Sequence, residues 1–224
     1  MVQLALLSLQ AADWAFVFDS WGYLSGGVII TIILTLASIV LGFLAGFPAG
    51  IIEVYGNTWM RKPVRIFGTV FRGTPLVVIL IFTFFVFSIN NAFLAAILGL
   101  GLRSAAYQSQ IFRGALSSVD EGQMEAARAI GMDHMTAIRH VVVPQALRRS
   151  MPGFQNEFTI VLKDTSLAFA IGLAELMTRT YDLFVQQTTA VLELFIFASA
   201  IYFVLTFTTN RALDAVQNHF AIPT

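Results

Sequence analysis

Apolar residues dominate long stretches of this chain, and one polar stretch interrupts them. The apolar positions form five blocks, at about 23–52, 66–89, 92–116, 152–176 and 190–209. Each block reaches the length of about 20 residues that an α-helix needs to cross a bilayer. The pattern therefore predicts an all-α, polytopic membrane protein with five transmembrane helices.

The segments around the second block contain residues that favour turns. Residues 53–65 hold Gly56, Asn57 and Pro63 among basic side chains, so we expect a connector there. The second block has Pro75 near its start, and proline either breaks a helix or opens a new one. We therefore expect a helix break or a fresh helix start at this position.

Composition supports the membrane assignment and excludes several classes of function. The 224 residues are 57% hydrophobic and 12% charged, whereas a soluble domain carries roughly 25% charged residues. The net charge is zero, which gives no reason to expect nucleic acid as a partner. The chain has no cysteine, which excludes disulfides, thiolate metal sites and cysteine nucleophiles.

The two ends of the chain are predicted to lie outside the membrane. Residues 1–22 include Trp14 and Trp21, and aromatic residues of this kind favour the membrane–water boundary. No basic region precedes the short apolar run there, so we expect a mature extracytoplasmic segment and not a cleaved signal peptide. Residues 219–224 are predicted to form a short cytoplasmic tail.

Basic residues predict the orientation, because cytoplasmic loops of membrane proteins are enriched in Lys and Arg. With five spans, most basic residues of the connections fall on one side: Arg61, Lys62, Arg65, Arg128, Arg139, Arg148, Arg149 and Arg211. The connections on the other side hold only Arg179. We therefore expect the N-terminus outside the cell and the C-terminus in the cytoplasm.

The polar stretch, residues 117–144, is called the polar loop below. Its pattern predicts a short helix, a glycine break and a second helix that ends at Pro144. Ala126 and Ala127 give the first helix small side chains that suit a groove on another protein, and Gly131 allows a bend with positive φ. The chain contains no G-x-x-x-x-G-K-[ST] phosphate loop, so ATP-driven motion would reach it through such a surface. The alternative is an ordinary loop helix of a membrane protein.

The spacing within the polar loop resembles the EAA loop of bacterial ABC import permeases. In that family, EAA is followed by three residues, a glycine, nine residues and I-x-L-P. Here Glu125, Ala126 and Ala127 precede Gly131, and valines occupy both aliphatic positions before Pro144. The resemblance implies ATPase-coupling roles for Glu125, Ala126, Ala127, Gly131, Met132 and Pro144.

Further motifs resemble the subfamily of these permeases that carries polar amino acids and opines. They are FRGTPL (71–76), AAYQSQIFRGAL (105–116), VVVPQALRRSMPGFQNEF (141–158) and LKDTSLA (162–168). The resemblance covers most of the chain, about residues 23–218. One departure is Gln110, where the family pattern usually has Glu, so a charge near Arg113 is missing.

The resemblance implies the type I importer fold and an ATP-driven import complex in a prokaryotic plasma (inner) membrane. Two permease chains, identical or paralogous, would pair with a dimer of ABC ATPase subunits and an extracytoplasmic amino-acid-binding protein. ATP and Mg²⁺ would bind to the ATPase, so this chain would hold no cofactor or metal and would not be an enzyme by itself. Its transmembrane domain would span residues 23–218.

Ionisable residues within the fourth block form the candidate substrate path, because charges inside a membrane are costly and mark functional or paired sites. Glu157 and Asp164 would share a helix face about 10 Å apart. Glu157 could meet a cationic group and Lys163 a carboxylate, which predicts a polar or basic L-amino acid as the substrate. The remaining candidates are Thr165, Ser166 and Arg72. The alternative is an internal salt bridge that locks the bundle.

Two other classes of function compete with this interpretation. An ATP-independent secondary transporter or channel for small polar solutes would have inverted repeats and a complete ion site in one chain, and neither is evident in the sequence. A membrane enzyme would have a nucleophile with its base, or a metal cluster, and the sequence shows neither arrangement.

Overall fold

A computed structural model describes residues 13–220 of the chain, with side chains to residue 218. These residues form helices and no strands, which confirms the predicted all-α class. The helices are α1 (residues 13–19), α2 (Trp21–Tyr55), α3 (Thr58–Gly73), α4 (Leu76–Ile81), α5 (Ala92–Ser117), α6 (Glu121–Ala129), α7 (His134–Ala137), α8 (Val143–Asp164), α9 (Leu176–Gln186) and α10 (Val191–Phe220). Residues 1–12 of the predicted N-terminal segment and 221–224 of the predicted tail lie outside the described residues.

Two helices of the described chain are long and apolar enough to cross a membrane, Trp21–Tyr55 and Thr188–Asn218. A third span would need α3 together with α4 and its π-helical continuation, which bend by 107° at a break. The break lies at Thr74 and Pro75, as predicted from the proline. α5 matches the third predicted block, and α8 covers about the first half of the fourth. Both helices contain several polar side chains, so the count of five spans stays a prediction.

Helix α5 lies at the centre of the bundle, where α2, α3, α4 and α8 all pack against it. Its contact with α2 runs along Gly42, Gly46 and Gly50, which lie four residues apart on one face of α2. A Cβ atom at Gly46 would lie 2.7 Å from the carbonyl oxygen of Ala105. Small residues allow such close approach of two backbones. Because the hydrophobic effect does not drive helices together within lipid, van der Waals packing between the close backbones holds them in contact.

The predicted connector at residues 53–65 contains a break between two helices at Gly56 and Asn57, and helices occupy most of the rest. α2 continues to Tyr55, and α3 begins at Thr58. The side-chain oxygen of Asn57 accepts a hydrogen bond of 3.0 Å from the Met60 N–H, which caps α3. Asparagine is a strong N-cap residue, so the residue that suggested a loop in fact starts a helix.

The fourth predicted block, 152–176, is not one continuous helix. α8 ends at Asp164 and a 3₁₀ segment follows over Thr165–Ile171. Gly172 then adopts a left-handed φ of 71°, which a glycine tolerates without strain. Glu175 caps the next helix, since its carboxylate accepts hydrogen bonds of 2.7 and 2.8 Å from the first backbone N–H groups of α9. Local hydrogen bonding therefore divides a block that looks uniform in hydropathy.

Buried apolar residues form three clusters along the bundle. One joins α2, α4 and α5 to the 3₁₀ segment, and a second joins α1, α2, α9 and α10. The third joins the ends of α2, α5 and α8 to the polar loop. Its buried members are Ala115, Leu116, Val119, Val142 and Ala146. This third cluster determines where the polar loop sits.

Replacing Gly46 with alanine tests the close approach of α2 and α5. We expect Gly46→Ala to lower the free energy of unfolding by about 1–3 kcal/mol, because the new methyl group meets backbone that cannot move alone. Gly114→Ala in α5 is the matched control, since nothing lies within 4 Å of its Cβ position. Thermal unfolding of both purified variants in detergent measures the difference. Equal melting temperatures would contradict the assigned role of Gly46.

Candidate functional site

The first helix of the polar loop, α6, has well-defined ends. Asp120 caps its start by accepting a hydrogen bond of 2.7 Å from the Gly122 N–H. At its end, the Gly131 N–H donates to the Arg128 carbonyl (3.0 Å) and the Met132 N–H donates to the Ala127 carbonyl (3.1 Å). This pair of bonds is a Schellman motif, which requires a left-handed residue, and Gly131 has a φ of 93°. The predicted glycine break is confirmed.

The second helix of the polar loop does not end at Pro144, so that prediction is wrong. Asp133 caps α7, and a π-helical turn over Ile138–Val142 leads directly into α8. Pro144 lies in the first turn of α8, where a missing N–H costs little. Hydrogen bonds from the side chain and backbone of Thr136 hold the pKa of Asp133 below its usual range, so this exposed cap is charged at neutral pH.

The polar loop has a buried face and an exposed face. Ala127 is 4% exposed, and Met124 packs against the third apolar cluster. Two large apolar side chains of the loop are exposed, Ile130 by 76% and Met135 by 68%. Among the other predicted coupling residues, Met132 is half-buried, and four are exposed: Glu125, Ala126, Gly131 and Pro144.

Side-chain contacts tie the polar loop to the helix bundle. The Arg149 guanidinium on α8 donates to the backbone carbonyl of Ser118. The His134 ring of α7 packs edge-on against Tyr55 at the end of α2, with ring centroids 5.9 Å apart. The loop is therefore held against the ends of α2, α5 and α8 together.

A cavity of about 420 Å³ lies between α6 and the end of α2. Its charged and titratable lining residues are Tyr55, Asp120, Glu121, Glu125 and His134. Three of these are carboxylic acids, which favours a basic group as the occupant of the cavity. Glu125, the first residue of the EAA pattern, therefore lies at the mouth of an acidic cavity and on the exposed face of the loop.

Glu157, the leading candidate for a substrate contact, is 3% exposed and faces α5. The Ser104 hydroxyl donates a hydrogen bond of 2.8 Å to Glu157 Oε1. The Gln108 amide donates in turn to Ser104 Oγ (3.0 Å) and to the Ile39 carbonyl of α2 (3.3 Å). These contacts form a relay from α2 through α5 to α8, which we call the Gln108–Ser104–Glu157 relay.

The pattern of charged residues in the sequence does not point to two members of this relay, Ser104 and Gln108, because both are neutral. A signal was present, because the two polar residues lie four positions apart on one face of a predicted transmembrane helix. Gly42 on α2 faces both side chains, and a Cβ atom there would lie 2.4 Å from the Gln108 Nε2. Only the packing of α2 on α5 shows that Gly42 leaves room for the side chains of Ser104 and Gln108.

Asp164 forms an ion pair with Arg103 of α5 at 2.6 Å, so its partner is not the neighbouring Lys163. The Arg103 guanidinium also lies 4.9 Å from the centroid of the Tyr107 ring. Lys163 is exposed and lines a cavity of about 400 Å³ together with Ser166. The structure thus brings Glu157 and Asp164 to the α5 side of α8, while Lys163 faces α10.

The remaining candidates bond to backbone. The hydroxyls of Thr165 and Ser166, at the start of the 3₁₀ segment, donate to the carbonyls of Leu162 and Lys163 in the last turn of α8, both at 2.7 Å. The Arg72 guanidinium donates to the Ala106 carbonyl of α5 at 2.8 Å. These contacts give all three side chains a structural role, whatever they contribute to a substrate path.

The residue that departs from the family pattern, Gln110, bridges two charges. Its amide nitrogen donates to Glu53 Oε1 at 2.7 Å, and its amide oxygen accepts from Arg113 Nε at 2.9 Å. Arg113 also lies 3.7 Å from Glu53 Oε2. The charge that Gln110 lacks is thus supplied by Glu53 of α2, and Arg113 keeps an acidic partner.

The Arg103–Asp164 pair predicts a large effect of removing one partner. We expect Arg103→Met to lower the free energy of unfolding by about 1–3 kcal/mol, because it leaves Asp164 largely buried without its cation. The double variant Arg103→Met/Asp164→Leu should recover part of this loss. Arg113→Met is the control, with an expected cost below about 1 kcal/mol, because that arginine is 47% exposed and its ion pair is longer. Equal losses in thermal unfolding for Arg103→Met and Arg113→Met would contradict this ranking.

Comparison with known proteins agrees with the motifs and the fold. Residues 38–221 match the family model of the binding-protein-dependent transport system inner membrane component. The chain is 33% identical over 218 residues to the octopine transport system permease protein of Rhizobium radiobacter, covering 92% of this chain and 89% of the relative. It is 34% identical over 218 residues to the L-cystine transport system permease protein of Bacillus subtilis, covering 95% and 93%.

Solved structures show the same fold. A crystal structure of an amino acid ABC transporter with histidines matches with a TM-score of 0.82 and 32% identity, covering 90% of this chain and 96% of that one. An inward-facing structure of the MetNI methionine ABC transporter matches with a TM-score of 0.73 at 22% identity, which supports the fold alone. This chain belongs to the family of binding-protein-dependent transport system inner membrane components, the permeases of ABC transporters.

Proposed function

We propose that this chain is the transmembrane permease subunit of an ATP-driven importer for a polar or basic L-amino acid. Family membership supports a permease over a self-sufficient secondary transporter. The relatives are named for octopine and L-cystine, which supports a substrate that carries amino acid groups. The proposed transmembrane domain covers residues 23–218.

The observation that carries the proposal is the two-faced construction of the polar loop. Its buried part is fixed to the bundle through Met124 and the third apolar cluster. Its exposed part offers the apolar side chains of Ile130 and Met135 and the carboxylate of Glu125, which lines the acidic cavity. A partner protein can bind exposed apolar side chains that lie next to charges complementary to its own. We assign this face to the ATPase subunit, and Glu125, Ala126, Ala127, Gly131, Met132 and Pro144 to the coupling element.

The helix that leaves the polar loop connects this face to the polar cluster in the bundle. α7, the π-helical turn and α8 follow one another without a loop residue between them. α8 alone has 22 residues, which corresponds to a rod of about 33 Å. A displacement of the polar loop would therefore move Glu157 and Asp164 relative to their partners on α5. We propose that this is how nucleotide-driven motion reaches the substrate path.

The proposed complex contains a second permease chain, identical or paralogous, a dimer of ABC ATPase subunits and an extracytoplasmic amino-acid-binding protein. ATP and Mg²⁺ would bind to the ATPase subunits. The basic residues of the loops support an N-terminus outside and a C-terminus in the cytoplasm of a prokaryotic plasma (inner) membrane.

Within the proposed substrate path, Glu157 is the best-placed contact. Its carboxylate is buried and held by one neutral donor, Ser104, so it retains the capacity to accept hydrogen bonds from a cationic group. Lys163, on the α10 side of α8, would meet a carboxylate. Asp164 is already paired with Arg103, and Arg72, Thr165 and Ser166 bond to backbone, so we assign these four to shaping the path.

Coupling through the polar loop can be tested at its left-handed glycine. We expect Gly131→Val to reduce substrate-stimulated ATP hydrolysis about tenfold, because a β-branched residue at positive φ strains the end of α6 by at least ~1.4 kcal/mol. Gly172→Val is the matched control: it has the same type of backbone strain, and it lies beyond α8 and outside the polar loop. The assay uses the permease reconstituted in liposomes with its ATPase and binding protein.

Two outcomes would contradict the coupling proposal. Uptake without ATP would support a secondary transporter. Equal loss of ATP hydrolysis in Gly131→Val and Gly172→Val would show that backbone strain anywhere in the permease is sufficient, so the polar loop would have no special role.

The relay predicts a substrate-dependent effect. We expect Ser104→Ala to raise the half-saturating concentration of a basic amino acid roughly tenfold, because Glu157 loses the donor that orients its carboxylate. A neutral amino acid should be affected much less. Ser109→Ala is the control, since that serine is equally buried on α5 but donates to the Ala106 carbonyl. Uptake by proteoliposomes measures both substrates. An equal change for basic and neutral substrates would remove the relay from substrate selection.

A further inference from the structure

Helix α3 has a strongly amphipathic sequence that neither the coupling face nor the substrate path uses. Its 16 residues include four basic side chains and no acidic one. Trp59, Ile66 and Val70 lie seven and four residues apart, so they form one strip along the helix. All three are exposed, Trp59 by 89%. The exposed side of α3 therefore carries a large apolar strip on a helix that is otherwise cationic.

The basic side chains of α3 divide into an anchored and an exposed pair. Arg61 donates to the Val54 carbonyl of α2 at 2.7 Å, and Arg72 donates to the Ala106 carbonyl of α5. Lys62 and Arg65 are exposed. They lie on the same side of the helix as Thr69, next to the apolar strip, and a surface groove of about 480 Å³ follows this boundary. Cationic and apolar groups thus lie side by side on one exposed face.

The direction of α3 suits a membrane surface. The helix bends by 107° from the apolar segment Leu76–Val86. If that segment runs across the bilayer, α3 runs close to the plane of the interface. An amphipathic helix with Lys and Arg on one strip and Trp on the next binds at that level, with apolar groups among acyl chains and cations at the headgroups.

We propose that the exposed face of α3 binds anionic phospholipids of the cytoplasmic leaflet. Lys62 and Arg65 would meet the lipid phosphate, and Trp59, Ile66 and Val70 would contact the acyl chains. Charge complementarity supports this occupant, because Lys62 and Arg65 are exposed on a helix without an acidic side chain, which favours anionic over zwitterionic headgroups. The cytoplasmic side rests on the orientation in the proposed function, whereas the preference for anionic lipid does not depend on transport.

The absence of cysteine from the sequence allows a direct test. Thr69→Cys, in the groove, is labelled with a bimane fluorophore before assembly with the ATPase and a second permease chain in nanodiscs. We expect brominated phosphatidylglycerol to quench the label at least about twofold more strongly than brominated phosphatidylcholine. The ratio should fall toward one in Lys62→Gln/Arg65→Gln and at high salt, which screens charge.

The control replaces two other exposed arginines, Arg139→Gln/Arg148→Gln, and should leave the quenching ratio unchanged. Equal quenching by both lipids in the unmodified protein would overturn the proposal. Quenching by neither lipid would also overturn it, and would indicate that another protein chain covers α3. The readout needs no ATP hydrolysis, so failure of the proposed transport function would show separately, as absent substrate-stimulated hydrolysis in the same nanodiscs.

Discussion

The close contact between α2 and α5 is the constraint on which the other parts depend. Glycines at 42, 46 and 50 bring the backbones so near that a single methyl group at Gly46 has no room. Because α5 is held in this way, its polar side chains Ser104 and Gln108 are buried against α2 and must find partners inside the bundle. The Gln108 amide donates to the Ile39 carbonyl, and the Ser104 hydroxyl donates to Glu157. Helix packing and the placement of the candidate site therefore have the same origin.

The same packing gives the polar loop a rigid base. The ends of α2 and α5 supply half of the residues of the third apolar cluster, and Val119 and Met124 of the loop pack into it. Because α7 continues through a π-helical turn into α8, the loop and the buried carboxylate Glu157 belong to one helical path. The π-helical turn precedes Pro144, at the point where a proline cannot donate a backbone hydrogen bond. A residue that suggested a chain turn thus lies within the connection between the two functional regions.

Helix α3 is attached to the bundle and also presents an exposed cationic and apolar surface. Arg61 and Arg72 fasten it to α2 and α5 through backbone carbonyls, which needs no acidic partner. Its remaining cations and its apolar strip stay at the surface. In the sequence, the first half of α3 has the pattern of a connector because Gly56 and Pro63 are turn residues, whereas in the structure Asn57 acts as a helix cap. Short-range turn signals and capping signals use the same residue types, so composition alone could not separate them.

The sequence by itself determined the helical class, the membrane setting, the glycine break at Gly131 and the family, because hydropathy, positive φ and motif spacing are local properties of the chain. The tertiary structure decided which polar groups meet. Asp164 pairs with Arg103 across 61 positions, and Glu157 accepts from Ser104 across 53. Such pairings depend on which helix faces are in contact. The contact between the glycines of α2 and the backbone of α5 determines these faces, whereas the intrinsic conformational preference of a single residue does not.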